Sequence, residues 1–509
     1  MKRAFAIVTA VLLLFSAAAI LSDRFAPLNT ASLKFIREVD SAFIENLKSA
    51  RKPAGNHGIS AFYHGNPLPR LGERLFFQRR LAEDVTVRTG GGFQLVKRQA
   101  EGCIELLAYN NTYYTDMIIE TTPFPLISVE TTRTPDDKFR RAAFTVFEPA
   151  QTTAYAAEIK VRGSSSSIYA KKSYTLKLRN PKAQKIPASA SILGLRENTK
   201  FALNSMYEDD SKIRDILSAD LWQSFGAGNN PQHTENALHF LYTEMVLDGA
   251  YQGLYGFQEV VDEYSLQVKP YEKAAIFKVN GTEYATPPDG YISPALSSYK
   301  AVEVVYDTLP ANTRWNRFIE MYSALEAGNG ERDIFTAYLD IENCTDYLLL
   351  FAVTRAKGNS WKNMVFTQRE TGGLYKFVIT PYDWDISFGG IWDRDAKRGV
   401  RFVPAFPEYS FSAEVSYLVF PDALWQLNAD DFRRRTAQRY FALRKDIFSA
   451  DRLIRLADSY YDTITESGAR RRDAERWPDS AIAEDNHFIR EFIPAHLAVL
   501  DGFFGAVDK

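Results

Sequence analysis

The stretch Pro381-Tyr382-Asp383-Trp384-Asp385-Ile386-Ser387-Phe388-Gly389-Gly390 directly follows a predicted strand that ends at Thr380. In extended backbone, side chains two positions apart point to the same face, so Asp383 and Asp385 would present two carboxylates to one point. Two oxygens within reach of one hard cation are a usual way of holding Mg²⁺. The alternative is that the aspartates only solvate a turn. Bulky neighbours such as Trp384 favour the interpretation as a metal site, because they would half-bury the carboxylates, and a buried carboxylate needs a partner or a metal ion.

The segment upstream of this stretch predicts a hairpin. Strands are expected at Val365–Arg369 and Tyr375–Ile379, on either side of the turn Thr371-Gly372-Gly373. Ahead of them lies Gly358-Asn359-Ser360-Trp361-Lys362-Asn363, which enters the first strand. Asn363 could complete a metal shell, as a catalytic-loop asparagine does in kinases. The other interpretation is an asparagine-rich turn with no ligand.

A second motif combines hydroxyl groups with positive charge. Arg162-Gly163-Ser164-Ser165-Ser166-Ser167 forms a predicted turn between strands, and Lys171 and Lys172 head the strand that follows. Backbone N–H and hydroxyl groups such as those of Ser164 and Ser165 suit phosphate oxygens, and a lysine adds a point charge. A flexible hairpin loop beside a solvated basic strand is an equally good interpretation, since no Walker or GxGxxG pattern is present.

The rest of the chain predicts an α+β layout. Between residues 85 and 178, β-branched and aromatic residues at near-alternate positions indicate an antiparallel sheet. Apolar residues at helical spacing predict helices; these are expected over 31–50, 74–83, 211–225, 314–327 and 332–351, and over most of the chain after Asp422. A hairpin is expected around Asp248-Gly249, a strong type I′ turn signal.

Composition excludes several classes of protein. The 509 residues include 61 basic and 63 acidic side chains, so no global basic field for nucleic acid exists. The 46% hydrophobic content excludes a disordered chain. The six histidines show no HxxxH or HExxH spacing. The two cysteines, Cys103 and Cys344, fit no zinc or redox motif and allow one disulfide at most.

The N-terminus resembles an export signal or a membrane anchor. Lys2 and Arg3 precede an apolar run from Ala4 to Leu21, which is just long enough to span a bilayer. Positive charge ahead of the run would keep the start in the cytoplasm and send the remainder across the membrane. We therefore expect residues 1–24 to be a signal peptide or anchor, with the bulk of the chain outside the cytosol, in the periplasm or at the cell surface.

Taken together, the motifs resemble the spore-coat-protein-H (CotH) kinase family. The matching blocks, in chain order, are RGSSSSIYAKKSYTLKL, FALNSMYEDDSKIRDILSADLW, YTEMVLDGAYQGLYGFQEVVDEYSL and GNSWKNMVFTQRETGGLYKFVITPYDWDISFGG. The helical tail from Leu424 to Phe448 is similar as well. The resemblance implies an atypical protein-kinase-like, two-lobed fold with a sheet-rich N-lobe and a helical C-lobe. It implies a family core at 121–400, a helical part of the same domain at 401–509, and an unrelated extension at 25–120.

The resemblance also implies residue roles. Asp383 looks like the aspartate that holds metal in kinases, and Asp385 and Asn363 look like further metal ligands. Lys171 or Lys172 looks like the phosphate-binding lysine; Arg162, Ser164 and Ser165 line the same loop. Glu259 ends a strand similar to the nucleotide hinge, and Arg214 and Asp215 lie on the helix packed against it. Catalysis would then fall to Asp383, Lys172 and Asn363, with ATP and Mg²⁺ as cofactors.

One departure from the family pattern leaves two hypotheses about the function open. Many family members have an acid just before the tryptophan of the loop, where this chain has Ser360. The first hypothesis is an exported or membrane-anchored kinase that transfers the γ-phosphate of ATP to Ser or Thr of a cell-envelope protein. The second is a catalytically silent family member that binds a surface protein or polysaccharide as a scaffold. Neither hypothesis involves nucleic acid.

Overall fold

The computed structural model describes residues 29–507 except 55–57, 150, 164, 184, 282–297, 300, 310–314, 328–333, 361, 372, 393–399, 412–419 and 481–485. The predicted leader, residues 1–24, lies outside the described residues. No helix in the part of the chain that the structure describes has both the length and the apolar character needed to cross a bilayer.

The strands alternate with a few helices in the first half of the chain and become rare after residue 402. They are β1 (Asn29–Ser32), β2 (Arg37–Glu38), β3 (Lys52–Pro53), β4 (Ser60–Tyr63), β5 (Asn66–Pro67), β6 (Arg70–Leu71), β7 (Arg74–Gln78), β8 (Thr86–Thr89), β9 (Gln94–Ala100), β10 (Cys103–Tyr109), β11 (Tyr113–Thr122), β12 (Leu126–Thr131), β13 (Arg140–Phe147), β14 (Thr152–Arg162), β15 (Ser173–Leu178), β16 (Lys200–Asn204), β17 (Phe240–Leu247), β18 (Ala250–Glu259), β19 (Ala274–Val279), β20 (Ser298–Tyr299), β21 (Val302–Asp307), β22 (Met364–Thr371), β23 (Leu374–Pro381), β24 (Gly390–Trp392) and β25 (Val400–Phe402).

The longer helices follow the opposite trend and dominate the C-terminal third. They are α1 (Ser41–Ser49), α2 (Arg214–Phe225), α3 (Asn316–Ala327), α4 (Ile341–Thr354), α5 (Phe420–Leu427), α6 (Phe432–Arg444), α7 (Ala450–Glu466), α8 (Ala469–Arg476) and α9 (His487–Gly505). The predicted α+β class is therefore confirmed, whereas the two-lobed kinase arrangement remains an expectation from the resemblance.

Two sheets matter for the site. The large sheet runs in the order β16-β15-β14-β13-β12-β17-β18-β6-β7-β11-β10-β9-β2, so strands of the N-terminal extension continue the sheet of the family core. The small sheet runs β20-β21-β19-β22-β23, with every neighbouring pair antiparallel. The hairpin predicted around Asp248-Gly249 is confirmed as β17–β18, and both turn residues have positive φ, as a type I′ turn requires.

Three helix predictions are wrong in part. The expected helix over 31–50 consists of a short 3₁₀ turn at Leu33–Phe35 and the helix α1, with strand β2 between them, and Asp40 caps the start of α1 by accepting from the Phe43 N–H. The segment 74–83 begins as strand β7, and a 3₁₀ turn follows it. The helix expected over 332–351 is interrupted: Ile334–Tyr338 form a π-helical turn, and α4 begins at Ile341, where Asp340 accepts from the Asn343 N–H. In each case the structure was determined by strand pairing with distant segments or by a helix cap, and the short helical spacing of apolar residues was misleading.

The largest apolar core lies between the small sheet and the C-terminal helices. Helix α4 is almost wholly buried within it, which explains why its sequence is apolar on every side. Cys344 lies in this core, whereas Cys103 lies half-buried on β10, and both thiols are free. The one disulfide that the composition allowed is absent between these two described residues.

Candidate active site

The small sheet brings three separate segments to one edge. Val279, near the end of β19, pairs with Met364 at the start of β22, which in turn pairs with Pro381 at the end of β23. Lys278 and Asn363 are adjacent in sequence to Val279 and Met364, and Asp383 follows Pro381 by two positions. Antiparallel register therefore places residues that are about 100 positions apart in the chain side by side.

The loop that carries the two aspartates is held in an unusual backbone conformation. Asp383 has φ +66° and Asn363 has φ +57°, both in the left-handed region that few non-glycine residues adopt. The Asn363 side-chain amide donates to the backbone carbonyl of Asp383 at 3.4 Å. At Gly389, with φ +91°, an added Cβ would lie 2.4 Å from the Val403 carbonyl oxygen. Such strain persists where surrounding contacts enforce it, commonly at functional sites.

The start of α2 fixes the aspartate loop from the other side. The Asp215 carboxylate accepts from the Trp384 N–H at 2.6 Å and from the Asn204 side-chain amide at 2.9 Å. Arg214, fully buried, donates to the Ser387 carbonyl at 3.0 Å. Two consecutive residues of α2 thus clamp the loop at both of its ends, and the helix seen in sequence as a neighbour of the hinge is a direct part of the site.

The carboxylates of the site lie close enough to perturb one another. Burial and the Asp383 charge raise the pKa of Asp215 to about 7. The pKa of Asp385 is raised well above its usual range, first by burial and then by the charges of Asp383 and Glu208. The Asp385 and Glu208 carboxyl groups are hydrogen-bonded to each other, which adds to the rise in the pKa of Asp385.

Two cations lie close enough to Asp383 to be influenced by its charge. Arg162 lies at the end of β14. Burial lowers the pKa of its guanidinium, and the charges of Asp383 and Asp215 oppose that shift. Its Nη1 is sealed from solvent and makes no hydrogen bond to the described residues. Burial and the repulsion of Arg162 lower the pKa of Lys278 to about 8. The Lys278 ammonium lies 4.9 Å from the centre of the Tyr382 ring.

The hydroxyl-rich turn borders the same site. Ser164 lies outside the described residues, and only the backbone of Ser165 is described. Beyond them, the Tyr169 hydroxyl donates to Glu208 at 2.5 Å, and its ring stacks on that of Tyr207. The Lys172 ammonium is half-buried and donates to the Ser167 carbonyl at 2.8 Å. The turn is therefore folded back on itself and linked to the carboxylates through Tyr169.

Two residues of the predicted site are placed elsewhere. Lys171 is fully buried, and its ammonium donates to Asp473 of α8 at 2.7 Å and to the Leu254 carbonyl at 2.5 Å. Glu259 is also buried, and Arg196 donates to both of its carboxylate oxygens. Neither side chain faces Asp383 in this structure.

A narrow recess of about 30 Å³ is lined by residues that include Asp383, Asp215 and Gln258. Trp222, Phe240 and Trp384 make its walls largely aromatic. A recess of this size has room for one or two water molecules, so in this structure it does not accommodate a nucleotide base.

The donor set fits Mg²⁺ bound together with a phosphate better than Mg²⁺ alone. Among the described residues, no three carboxylate, histidine or thiol groups are arranged to hold a metal ion. Mg²⁺ is usually bound by only one or two carboxylates plus substrate phosphates. Asp383 and Asp385 satisfy that smaller requirement, and the unpaired Arg162 Nη1 suits a phosphate oxygen.

Sequence reasoning missed three contributors. Lys278 carries no motif, and only the pairing of β19 with β22 brings it to the edge. Glu208 belongs to the acidic run 208–210, in which Asp209 accepts from the backbone N–H of Arg214 at the start of α2. Asp215 was recognised as a helix residue, but its contact with Trp384 depends on tertiary packing. Alternation along β19 would have been the available signal for Lys278, whereas Arg162 was predicted from the hydroxyl-rich turn.

A comparison with protein-family models finds one match, described as CotH kinase protein, over residues 159–500. The match begins near the end of β14 and ends within α9, and it includes Asp383, Asp385, Arg162 and Lys278. Among curated proteins, none matches the chain.

Proposed function

Because the chain belongs to the CotH kinase family, we propose that it is a Mg²⁺-dependent kinase that transfers the γ-phosphate of ATP to Ser or Thr of a cell-envelope protein. The observation that carries the proposal is the buried, unpaired Nη1 of Arg162 facing Asp383. A buried cation without a partner beside an exposed carboxylate is an arrangement that a metal-bound phosphate would complete.

In this proposal each residue has a defined task. Asp383 and Asp385 would hold the cation, whose positive charge neutralises the phosphate oxygens during transfer. Arg162 and Lys278 would bind phosphate oxygens, and Asn363 would keep Asp383 in its left-handed conformation through the hydrogen bond to its carbonyl. Asp215 would orient the loop by accepting from the Trp384 N–H.

The second candidate is a silent family member that serves as a scaffold in the envelope. Ser360 replaces the acid that accepts the proton in many relatives, and a serine is a far weaker base than a carboxylate at neutral pH. Transfer depends mostly on positioning and charge neutralisation, so nucleotide binding would survive this replacement. Under this candidate the protein binds Mg·ATP but does not turn it over.

A transfer assay separates the two candidates. Purified protein is incubated with γ-labelled ATP, Mg²⁺ and an envelope extract, and label on Ser and Thr is counted. The kinase proposal expects label with wild type, a loss of about 100-fold or more in Asp383→Asn, and no change in Asp462→Asn, an exposed aspartate of α7. Binding of Mg·ATP with no label in any extract would favour the scaffold instead.

A further inference from the structure

A cavity at the C-terminal end of α2 lies apart from the site of Asp383. It has a volume of about 520 Å³ and is open to solvent. Side chains and backbone from α2, the turn after it, α4 and α6 line the cavity, and they include Gln223, Phe225, Gly228, Asn229, Glu342 and Arg439. We call it the α2 cavity. Its volume falls in the range of pockets that bind small organic molecules.

The charges at the α2 cavity are already balanced by protein groups. Arg439 donates to both carboxylate oxygens of the buried Asp346, at 2.9 and 3.1 Å. Glu342 lies 4.0 Å from Arg435, and both of these side chains are about half exposed. The fields of opposite charges this close together largely cancel at a ligand beside them. The cavity therefore favours a neutral ligand over an anion or a cation.

The lining nevertheless offers both donors and acceptors that the described residues do not use. The Gln223 side-chain amide makes no hydrogen bond within the described part of the chain. Asn229 donates to Asp346 through Nδ2 at 2.7 Å, which leaves its Oδ1 to accept. Arg439 donates through Nε and Nη2, which leaves Nη1 as a donor. A ligand that fits this lining must donate and accept hydrogen bonds at several points.

We propose that the α2 cavity binds a neutral carbohydrate of one or two sugar rings. A sugar hydroxyl both donates and accepts, so neighbouring hydroxyl groups match amide, carboxylate and guanidinium groups together. An apolar ligand would instead leave the polar groups of the lining without partners. Phe225 adds an aromatic side chain to the lining, and the C–H groups of a sugar ring pack against such a surface through dispersion.

The α2 cavity is separate from the proposed phosphate site, although two helices reach from one to the other. Gln223 lies about 12 Å along α2 from Asp215, which holds the aspartate loop. Glu342 lies in the first turn of α4, and the carbonyl of Thr354 at the other end of this helix accepts from the Phe388 N–H at 2.7 Å. The inference thus goes beyond the kinase proposal, and sugar binding and nucleotide binding can be lost separately.

Saturation-transfer-difference NMR of the full-length chain tests the inference, with cellobiose, maltose, lactose and N,N′-diacetylchitobiose as probes. Wild type should give a saturable signal with at least one of these disaccharides. Gly228→Phe should abolish the signal, because Gly228 lines the cavity and its Cβ position has no protein atom within 4 Å, so the new ring occupies the ligand's space. Gly58→Phe, at an exposed glycine with an equally open Cβ position, is the matched control.

A second variant tests the polar lining without filling the cavity. Gln223→Ala removes one donor and one acceptor and should weaken binding by about fivefold to tenfold. Gln94→Ala, the same change at an exposed position of β9, should bind as wild type does. If Gly228→Phe fails to fold, the comparison of Gln223→Ala with Gln94→Ala decides. The thermal shift with Mg·ATP should be the same in wild type and in every folded variant.

Three results would overturn the inference. The first is no signal from any of the disaccharides with wild type. The second is an equal signal in all folded variants, which would place the sugar elsewhere. The third is a stronger signal from glucose 6-phosphate than from glucose, which would show a preference for an anion. A sugar signal that Gly228→Phe abolishes, in a protein without a Mg·ATP shift, would support the α2 cavity and contradict the nucleotide proposal alone.

Discussion

Burial lowers the pKa of Arg162, and the charges of Asp383 and Asp215, together with the nearby Tyr382 hydroxyl, oppose that shift. Replacing it by methionine keeps the length of the side chain and removes the charge. We expect ATP affinity in the presence of Mg²⁺ to fall by about 10- to 100-fold, because a charge-assisted contact to phosphate is lost. The free energy of unfolding of the ligand-free protein should not fall, since an unpaired buried cation is removed.

Isothermal titration calorimetry with Mg·ATP measures the first quantity, and denaturant unfolding measures the second. Arg141→Met, at an exposed position of β13, is the matched control and should change neither. Unchanged nucleotide affinity in Arg162→Met would remove Arg162 from the phosphate site.

His496 makes stability depend on pH in a definite direction. Burial lowers its pKa to about 4, from the 6.5 of an exposed histidine. The unfolded chain therefore binds a proton between these values while the folded chain does not, so stability is full above pH 6.5 and falls as the pH drops towards 4. The loss should reach at most about 3 kcal/mol. The loss arises from the burial of the ring, whose hydrogen-bond partner among the described residues is the Ala352 carbonyl.

Denaturant unfolding at pH 7, 6, 5 and 4, in one fixed chloride concentration, measures this dependence. His496→Gln retains a donor for Ala352 and loses the titrating ring, so the difference between wild type and variant should shrink as the pH falls. A difference that stays constant from pH 7 to 4 would contradict the assignment of a buried neutral ring.

Residue-level prediction from sequence succeeded where the chemistry lies in one contiguous stretch. The pair Asp383 and Asp385 and the nearby Asn363 do meet at one edge of the small sheet, although their roles remain proposals. Lys171 shows the limit: a lysine at the head of a strand gives no sign of whether its ammonium reaches outward or is buried against a helix 300 residues later. That helix, α8, supplies Asp473.

At the scale of elements, α8 links the C-terminal region to the large sheet through buried charge. Asp473 pairs with Lys171, and Arg472 pairs with Glu244, with every partner at most 1% exposed. On the side of the extension, Arg471 pairs with Glu120 of β11 at 2.7 Å. These contacts hold the strand after the hydroxyl-rich turn in place, since Lys171 lies two residues before the start of β15.

We expect Asp473→Ala to reduce the free energy of unfolding by about 3–5 kcal/mol, because Lys171 is left as an unpaired buried charge. The double variant Lys171→Met with Asp473→Leu should recover most of that loss. Denaturant unfolding of Lys171→Met, of Asp473→Leu and of the double variant gives the coupling free energy between the two side chains. Additive losses in the double variant would show that the two side chains do not act as a pair.

Strand prediction was accurate where alternation was strong, and helix prediction failed where short apolar periods were ambiguous. The expected strands Leu126–Thr131 and Ser173–Leu178 agree with β12 and β15. The segment 74–83 failed because Leu75, Phe76 and Phe77 are all buried against neighbours in the sheet, so no alternation marks the strand. Pairing between distant segments determines whether such a segment forms a strand or a helix. The local sequence carries no information about that pairing.

At the scale of the whole molecule, the family domain and the extension share one continuous sheet, since β11 and β7 extend the order that contains β17 and β18. This continuity was not predictable, because residues 25–120 resemble no family named here. The free cysteines follow from the same architecture: Cys103 lies on a strand of the extension and Cys344 lies within α4. Thiol counting under denaturing conditions, without reductant, should therefore give two thiols per chain, and none would indicate a bridge.

The N-terminal segment predicts where the whole molecule resides. Residues 1–40 fused to a reporter that is active only outside the cytoplasm should give signal, because Lys2 and Arg3 hold the start of the apolar run on the cytoplasmic side. Lys2→Glu with Arg3→Glu is the matched variant and should reduce the signal. A soluble reporter that is inactive with the native segment would contradict export.

The central claim, that Asp383 and its neighbours bind nucleotide through Mg²⁺, is tested most directly by thermal unfolding with and without Mg·ATP. Wild type and Asp462→Asn should show a rise in melting temperature with ATP only when Mg²⁺ is present. Asp383→Asn, which removes one ligand charge and keeps the shape, should lose this rise while its ligand-free melting temperature is little changed. The same Mg·ATP shift in Asp383→Asn as in wild type would contradict the account.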